Sequence, residues 1–244
     1  MSTTKCLYLS DPWVLGAATR IQEMRTSSDG RTVMMLEETP FYAQGGGQPY
    51  DTGIIESGDA RFEVQEVRKI DGEVLHFGRC VTGVMNVGDH VSCTVDAPRR
   101  IQNSLLHSAG HAIDAAIKKL RPEWIPSKGY HFPEGAYVEY KGTLAPDEKE
   151  LLMATIADAC RSFIAKKCST AIAFLTQSEA RALGYMVPDA LPATEMVRVV
   201  TWESYGIPCG GTHVKNLGEI ERVVIRKIKT EGDTVRISYT ASYA

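Results

Sequence analysis

Two short stretches of this sequence carry residue types that hold metal ions and help activate water. In His107-Ser108-Ala109-Gly110-His111, two histidines stand four residues apart. On a helix that spacing turns a side chain by only about 40° while rising one turn, so both imidazoles can face one cation. Further along stands Cys209-Gly210-Gly211-Thr212-His213, whose glycines let the backbone turn sharply enough for a thiolate and an imidazole to converge. Thiolate and imidazole are favoured zinc ligands, with bonds of about 2.0–2.3 Å. Each stretch alone also has a plainer reading. The first fits two histidines on a polar helix surface, and the second fits a glycine-rich turn with an incidental cysteine and histidine. About a hundred residues separate them, so only a complete fold could bring them together.

A zinc ion at such a site could make a bound water more acidic and polarise a carbonyl. Four protein ligands usually make a closed, structural site, so catalysis there requires a weak ligand or a further coordination position. No HExxH-type glutamate offers a general base, and none is assigned. Asp114 shares the histidine face, where an ion pair with Lys118, four residues on, is expected.

The elements that must position these residues follow from patterning. Segments rich in β-branched and aromatic residues, Lys5–Leu9, Thr32–Glu38, Thr52–Glu56, Arg61–Ile70, Glu73–Phe77 and His90–Val95, alternate with Gly, Asp and Asn turns. Asp71-Gly72 suits a tight hairpin, and short strands at this spacing predict a small antiparallel barrel. At Pro98 the pattern changes. Ile101, Leu105, Ala109, Ala112, Ala116 and Leu120 recur at helical spacing, with the histidines opposite that stripe beside Arg100, Asn103, Asp114 and Lys118. A second helix is expected over Pro146–Lys167, with proline and acidic residues suited to its first turn. Thr176-Gln177-Ser178-Glu179 is a capping box opening a short helix that ends before Gly184. Strands are expected at Tyr137–Tyr140, Met196–Trp202, Glu221–Ile228 and Val235–Thr240. The reading is α+β: a barrel domain over 1–96, then an α+β domain over 97–244.

Composition is ordinary, 43% hydrophobic and 23% charged over 244 residues, which excludes a disordered chain. No apolar run approaches the roughly 20 residues of a membrane helix, and the first residues lack the apolar stretch of a signal peptide. We therefore expect a cytoplasmic protein. Cys6, Cys80, Cys93, Cys160 and Cys168 form no CxxC pair and read as small buried hydrophobes. A net charge of −3 does not advertise nucleic-acid binding. Basic clusters exist at Arg99-Arg100, Lys118-Lys119-Arg121, Lys166-Lys167, and Arg222 with Arg226, Lys227 and Lys229.

HSAGH followed by PCGGTHV resembles the HxxxH and CxxxH signature of alanyl-tRNA synthetase editing domains and the stand-alone AlaX proteins. The flanks are similar as well: Arg99-Arg100 before the histidines, Arg198-Val199-Val200 before the cysteine, Gly218-Glu219-Ile220 after His213, and the closing Arg236-Ile237-Ser238-Tyr239. Upstream, Ala43-Gln44-Gly45-Gly46-Gly47-Gln48-Pro49-Tyr50-Asp51-Thr52-Gly53 is similar to the glycine-rich motif shared by the synthetase and the longer AlaX forms. The resemblance covers most of the chain. It implies an editing domain of the threonyl/alanyl-tRNA synthetase type, with His107, His111, Cys209 and His213 around zinc. The implied activity is deacylation of mischarged alanine tRNA, with serine or glycine removed.

By position in that resemblance, Ser127, Lys128 and His131 are candidate substrate contacts, although editing domains tend to carry glutamine where Ser127 stands. Gly45, Gly46, Gly47 and Gln48 are candidates to shape the substrate pocket through backbone amides. A flexible connector remains the alternative for that segment, and a P-loop does not, since the Lys-Ser/Thr ending is absent. Arg99 and Arg100 are expected tRNA contacts, and the protein is expected to act in trans. Two rival readings are a deacylase for another mischarged tRNA, and a tRNA- or protein-binding module in which zinc is structural.

Overall fold

The computed structural model describes residues 4–187, 195–203 and 205–244. The chain divides into two compact units, 1–102 and 103–244. That division falls six residues after the 96/97 boundary expected from the sequence, because the first turn of the helix Ala97–Leu120 groups with the first unit.

The first unit is built from β1 (Lys5–Cys6), β2 (Gly16–Thr26), β3 (Thr32–Leu36), β4 (Glu38–Thr39), β5 (Gly53–Ser57), β6 (Ala60–Ile70), β7 (Glu73–Thr82) and β8 (His90–Val95). Six of these close an antiparallel barrel in the order β2-β3-β7-β6-β5-β8, while β1 and β4 pair in parallel. Its core holds Ile21, Met34, Leu36, Phe41, Ile55 and Phe62, all almost fully buried. On β6, a bulge at Gln65 shifts the alternation, so that Val64 and Val67 both point inward although they are three apart. The β6–β7 hairpin turns at Asp71 (φ 50°) and Gly72 (φ 86°), the left-handed pair that a type I′ turn needs.

Two segments of the first unit depart from the sequence reading, and in the second unit the strands Ile125–Tyr130, Ala171–Leu175 and Tyr205–Pro208 also lie outside the expected ones. Gly16–Thr26, absent from the expected strands, is one of the longest. Its run of Ala, Gln, Glu, Met and Arg favours helix locally, but ladders to β3 on one side and β8 on the other override that preference. Leu7–Leu9, read as strand, forms a turn of 3-10 helix. Among the cysteines read as buried, Cys93 and Cys160 are buried, Cys6 and Cys168 are half-buried, and Cys80 is exposed.

A fully buried His76 lies in the barrel. Its Nδ1 donates to the Met34 carbonyl at 3.0 Å, and its Nε2 accepts from the Thr39 hydroxyl at 2.8 Å. Burial pushes this imidazole down to about 4 from an ordinary 6.5, the Met34 bond only partly opposing it. The unfolded chain therefore takes up the proton first as pH falls. Barrel stability should be lost from about pH 6.5 downward and level off near pH 4, by about 2 kcal/mol already at pH 5. Hydrogen exchange of barrel amides at pH 7 and pH 5 checks this, and His76→Gln should flatten the dependence.

The second unit comprises α1 (Ala97–Leu120, entering from the first unit), β9 (Ile125–Tyr130), β10 (Tyr137–Lys141), α2 (Lys149–Ile164), β11 (Ala171–Leu175), α3 (Gln177–Ala182), β12 (Val197–Trp202), β13 (Tyr205–Pro208), β14 (Ile220–Glu231) and β15 (Thr234–Tyr243). One sheet runs β14-β15-β10-β9 and a second β11-β12-β13. Thr176 caps α3 in a complete capping box with Glu179, and Gly184 follows at φ 80°. The helix α1 lies on the sheet face bearing Tyr140 and Tyr239: the Tyr140 hydroxyl donates to Asp114 at 2.5 Å and that of Tyr239 to the Leu106 carbonyl at 2.9 Å. Leu105, Ile113 and Ile117 share one core with Val138, Ile156, Trp202 and Ile237. No helix among the described residues is long and apolar enough to cross a membrane.

Candidate metal centre

The histidine face of α1 is not a polar surface. His107 is 1% exposed and His111 6%, and Asn103, Ser104 and Ser108 are also buried. The helix is enclosed on all sides from Asn103 to Ile117, apart from the half-buried Asp114, whereas Ile101 of the expected apolar stripe is 45% exposed. The reason is a loop packed on the polar side. Ser104 Oγ bonds Thr212 Oγ1 at 2.7 Å, Val214 N–H donates to Ser108 Oγ at 3.1 Å, and His213 Nδ1 lies 3.2 Å from that same oxygen. Two serines thus clamp the Cys209–His213 loop onto the helix.

One donor atom from each of His107, His111, Cys209 and His213 lies within 4.8 Å of every other. Cys209 Sγ is 3.4 Å from His107 Nε2 and 3.4 Å from His213 Nε2. Tetrahedral bonds of 2.0–2.3 Å put ligand atoms roughly 3.3–3.8 Å apart, so those spacings suit one ion. His111 Nε2 is buried and makes no hydrogen bond, and a cation would satisfy its lone pair. A metal ion fits this donor set.

Neighbouring groups orient the donors. His111 Nδ1 donates to Asp114 Oδ2 at 2.9 Å, which aims Nε2 inward. The expected Asp114–Lys118 ion pair is therefore not what forms: the carboxylate is occupied by His111 and Tyr140, and Lys118 is exposed. The Gly211 N–H points at Cys209 Sγ from 3.4 Å, and Arg198 donates to the Cys209 carbonyl. Burial raises the Cys209 thiol, but His111, the Gly211 amide and Arg198 outweigh it and leave the thiol below its ordinary value. Burial, with neighbouring imidazoles and Arg198 adding to it, holds His107 and His213 well below theirs. His111 goes the other way: burial lowers it, but Asp114 and Cys209 outweigh that and push it up to about 10. It must therefore give up a proton for the cluster to reach the neutral imidazoles and thiolate that bind metal.

His131 stacks on His107, with ring centroids 4.4 Å apart. The Tyr239 hydroxyl gives its one proton to Leu106. His131 Nδ1 must then donate to Tyr239, at 2.7 Å, and the imidazole is held neutral. Burial accounts for this first and the nearby His111 second, taking His131 down to about 3. Gly110 and Gly129 make room for the ring, since a Cβ on either would sit 2.5 Å from a His131 atom. Alanine at 110 would improve helix propensity by about 1 kcal/mol, but overpacking costs about 1–3 kcal/mol. Gly110→Ala is therefore expected to lower the melting temperature, and an unchanged Tm would mean His131 moves aside freely.

The other candidates stand elsewhere. Ser127 is the bulged residue of β9 and is exposed. Lys128 pairs with Glu139, which puts it on the sheet face opposite Tyr140 and Tyr239, with its ammonium 5.7 Å from the Tyr137 ring. That orientation turns Lys128 away from the α1 side, so its expected place beside the substrate rests on the resemblance alone. In the first unit, Gly45 and Gln48 close a tight bridge, and Gln48 is fully buried. Gly46 and Gly47 adopt φ 52° and 78° within it, so the segment is a fixed turn and not a flexible connector. Arg100 is 2% exposed, bonded to Asp51 and to the carbonyls of Pro12, Val14 and Pro40. Its donors are spent inside the unit, and the expectation of a tRNA contact there is corrected. Arg99 is half-buried over the Tyr50 ring and donates to the Tyr50 carbonyl.

Sequence reasoning missed Ser104, Ser108 and Tyr239 as supports. The placement of Asp114 three residues after His111 was the one local signal available for the shell around the ligands.

Comparison with known families places the class. Residues 14–99 match the family model described as tRNA synthetases class II (A). Residues 197–237, which include Cys209 and His213, match the threonyl and alanyl tRNA synthetase second additional domain. His107 and His111 lie between the matched segments. The two matches point to a synthetase-type editing domain and hence to tRNA deacylation. Together they fit an editing protein of the AlaX type.

Proposed function

We propose that this protein is a trans-acting, zinc-dependent hydrolase of the AlaX type, removing serine or glycine from mischarged alanine tRNA in the cytoplasm. The observation that carries the reading is the buried His107–His111–Cys209–His213 cluster, in a chain whose flanking segments match synthetase models. Zinc held there would polarise the ester carbonyl and make a water molecule more acidic. The chain's own residues fix the donors: Asp114 orients His111, Ser108 orients His213, and the Gly211 amide stabilises the Cys209 thiolate. Support for His131 as a substrate contact is its place against His107. Support for Ser127 and for Gly45, Gly46, Gly47 and Gln48 as substrate contacts, and for Arg99 as a tRNA contact, is the resemblance alone.

Four protein ligands also favour a second reading, a closed structural zinc in a tRNA-binding module. The deciding experiment is hydrolysis of serine-, glycine- and alanine-charged alanine tRNA, with and without a chelator. Chelator-sensitive release of serine or glycine, with alanine spared, supports editing in trans. Metal-loaded protein that releases none of the three leaves the structural reading or another substrate.

A further inference from the structure

Within the second unit, the four-stranded sheet packs α1 and α2 on one face. The side chains that its register places on the other face are exposed or half-buried. Strand register assigns the outer face. Lys227, Ser238, Tyr137 and Tyr130 form one row across it, and Lys229, Arg236, Glu139 and Lys128 the next. Arg222, paired with Ser242, extends the face along β14, and Lys141 with Glu231 closes its other end. This face therefore presents six cations against two acids, on a chain whose net charge is −3. Glu139 is already taken by Arg236 at 2.6 Å. Arg222, Lys227 and Lys229 are exposed and make no ion pair among the described residues.

A continuous stack of flat groups runs through the cations. The Arg236 guanidinium lies 4.4 Å from the Tyr137 centroid, Tyr137 stacks on Tyr130 at 5.1 Å, and Tyr130 stacks on Phe132 at 4.3 Å. The interplanar angles of the two ring pairs are 16° and 12°. Both faces of Tyr130 are used, so the stack can grow only at its ends. Unpaired cations flanking planar groups on an open sheet suit phosphodiester backbone and an unstacked base together. An acidic protein partner would use the charges but not the planar stack.

We propose that the outer face of the β14-β15-β10-β9 sheet binds RNA, its cations holding backbone phosphates and the Phe132 end of the stack receiving a base. The proposal rests on the reading that the substrate is a tRNA.

The test uses the full chain and unacylated alanine tRNA. The combined Arg222→Gln, Lys227→Gln, Lys229→Gln variant should raise Kd about tenfold or more near 0.1 M salt. It should also flatten the slope of log affinity against log salt by about 2–3. Neutralising three other exposed lysines, Lys69, Lys118 and Lys119, should change Kd by less than about twofold. Phe132→Leu, which keeps apolar volume but loses the ring, should weaken binding about fivefold. An unchanged Kd and salt slope in the triple variant, with wild type binding and deacylating tRNA, overturns the surface alone. Binding that depends on this face without hydrolysis of any charged tRNA overturns the hydrolase and keeps the surface. Wild-type protein that binds no tRNA overturns both.

Discussion

Cys209→Ser is expected to lose bound metal and to cut deacylation of mischarged alanine tRNA by more than about 100-fold. Partners of metal ligands are commonly worth 10–100-fold by themselves, and Cys209 is a donor whose sulfur stands 3.4 Å from two imidazole nitrogens. A serine hydroxyl is a poor substitute, because its proton is far less acidic than the thiol's and zinc prefers thiolate, imidazole or carboxylate. Burial of His107 and His213 would leave their ring nitrogens facing a weaker partner, so loss of metal should also lower stability. Metal content by mass spectrometry and single-turnover hydrolysis check the two effects separately. A variant that keeps its metal and tRNA affinity yet loses hydrolysis would favour catalytic zinc. One that loses its metal but still hydrolyses at wild-type rate would remove the metal from the mechanism. Asp114→Asn should behave as a weaker version, because it withdraws the carboxylate that orients His111 but leaves all four donors in place.

What could be read from the sequence was what local chemistry decides. The Asp71-Gly72 turn, the Thr176 capping box and the helical stripe from Leu105 to Ala116 each depend on neighbours within a few residues. Strand β2 was illegible because its residues favour helix and only its ladders, to the adjacent β3 and the distant β8, make it a strand. The same limit explains the histidine face. Its polar composition reads as surface, and nothing within α1 announces that Ser104 and Ser108 will receive a loop more than a hundred positions later.

The cluster that could hold a metal ion was legible for a different reason. The types and spacing of its residues restrict chemistry strongly, and two pairs that are weak singly become specific when one fold must hold both. Supporting residues carry no such restriction. Asp114 had two plausible partners on one helix, His111 at three residues and Lys118 at four, and burial decided between them by favouring the enclosed donor. The orientation of Lys128 was hidden for a similar reason. Its motif gives it a place in the chain, but the side of the sheet it faces is settled by register with Glu139.

Arg100 teaches the same point with the larger energetic consequence. Asp51→Ala is expected to destabilise the first unit by about 3–5 kcal/mol, the cost of leaving a buried charge without its partner. Asp51 is fully buried, and its Oδ2 accepts from both Arg100 and, at 2.7 Å, the Tyr42 amide. Burial raises the Asp51 carboxyl more than Arg100 and the Tyr42 amide lower it, and the net shift is upward. Desolvation thus rivals the pair's attraction, so removing both charges should cost far less than removing one. Arg100→Met should show a further asymmetry. With its partner gone, Asp51 can neutralise itself by taking up a proton, which arginine cannot lose in the reverse case. A folded-state pKa above the unfolded one gives stability that is present at low pH and lost as pH rises. Arg100→Met should therefore be less destabilised at pH 5 than at pH 7, relative to the same variant carrying Asp51→Leu. Asp51→Ala should show no such relief, and the double variant should recover most of the loss. Denaturant unfolding, followed by hydrogen exchange of the β3 and β6 amides at both pH values, separates these outcomes. Equal losses from single and double variants would mean that the pair contributes packing and not charge.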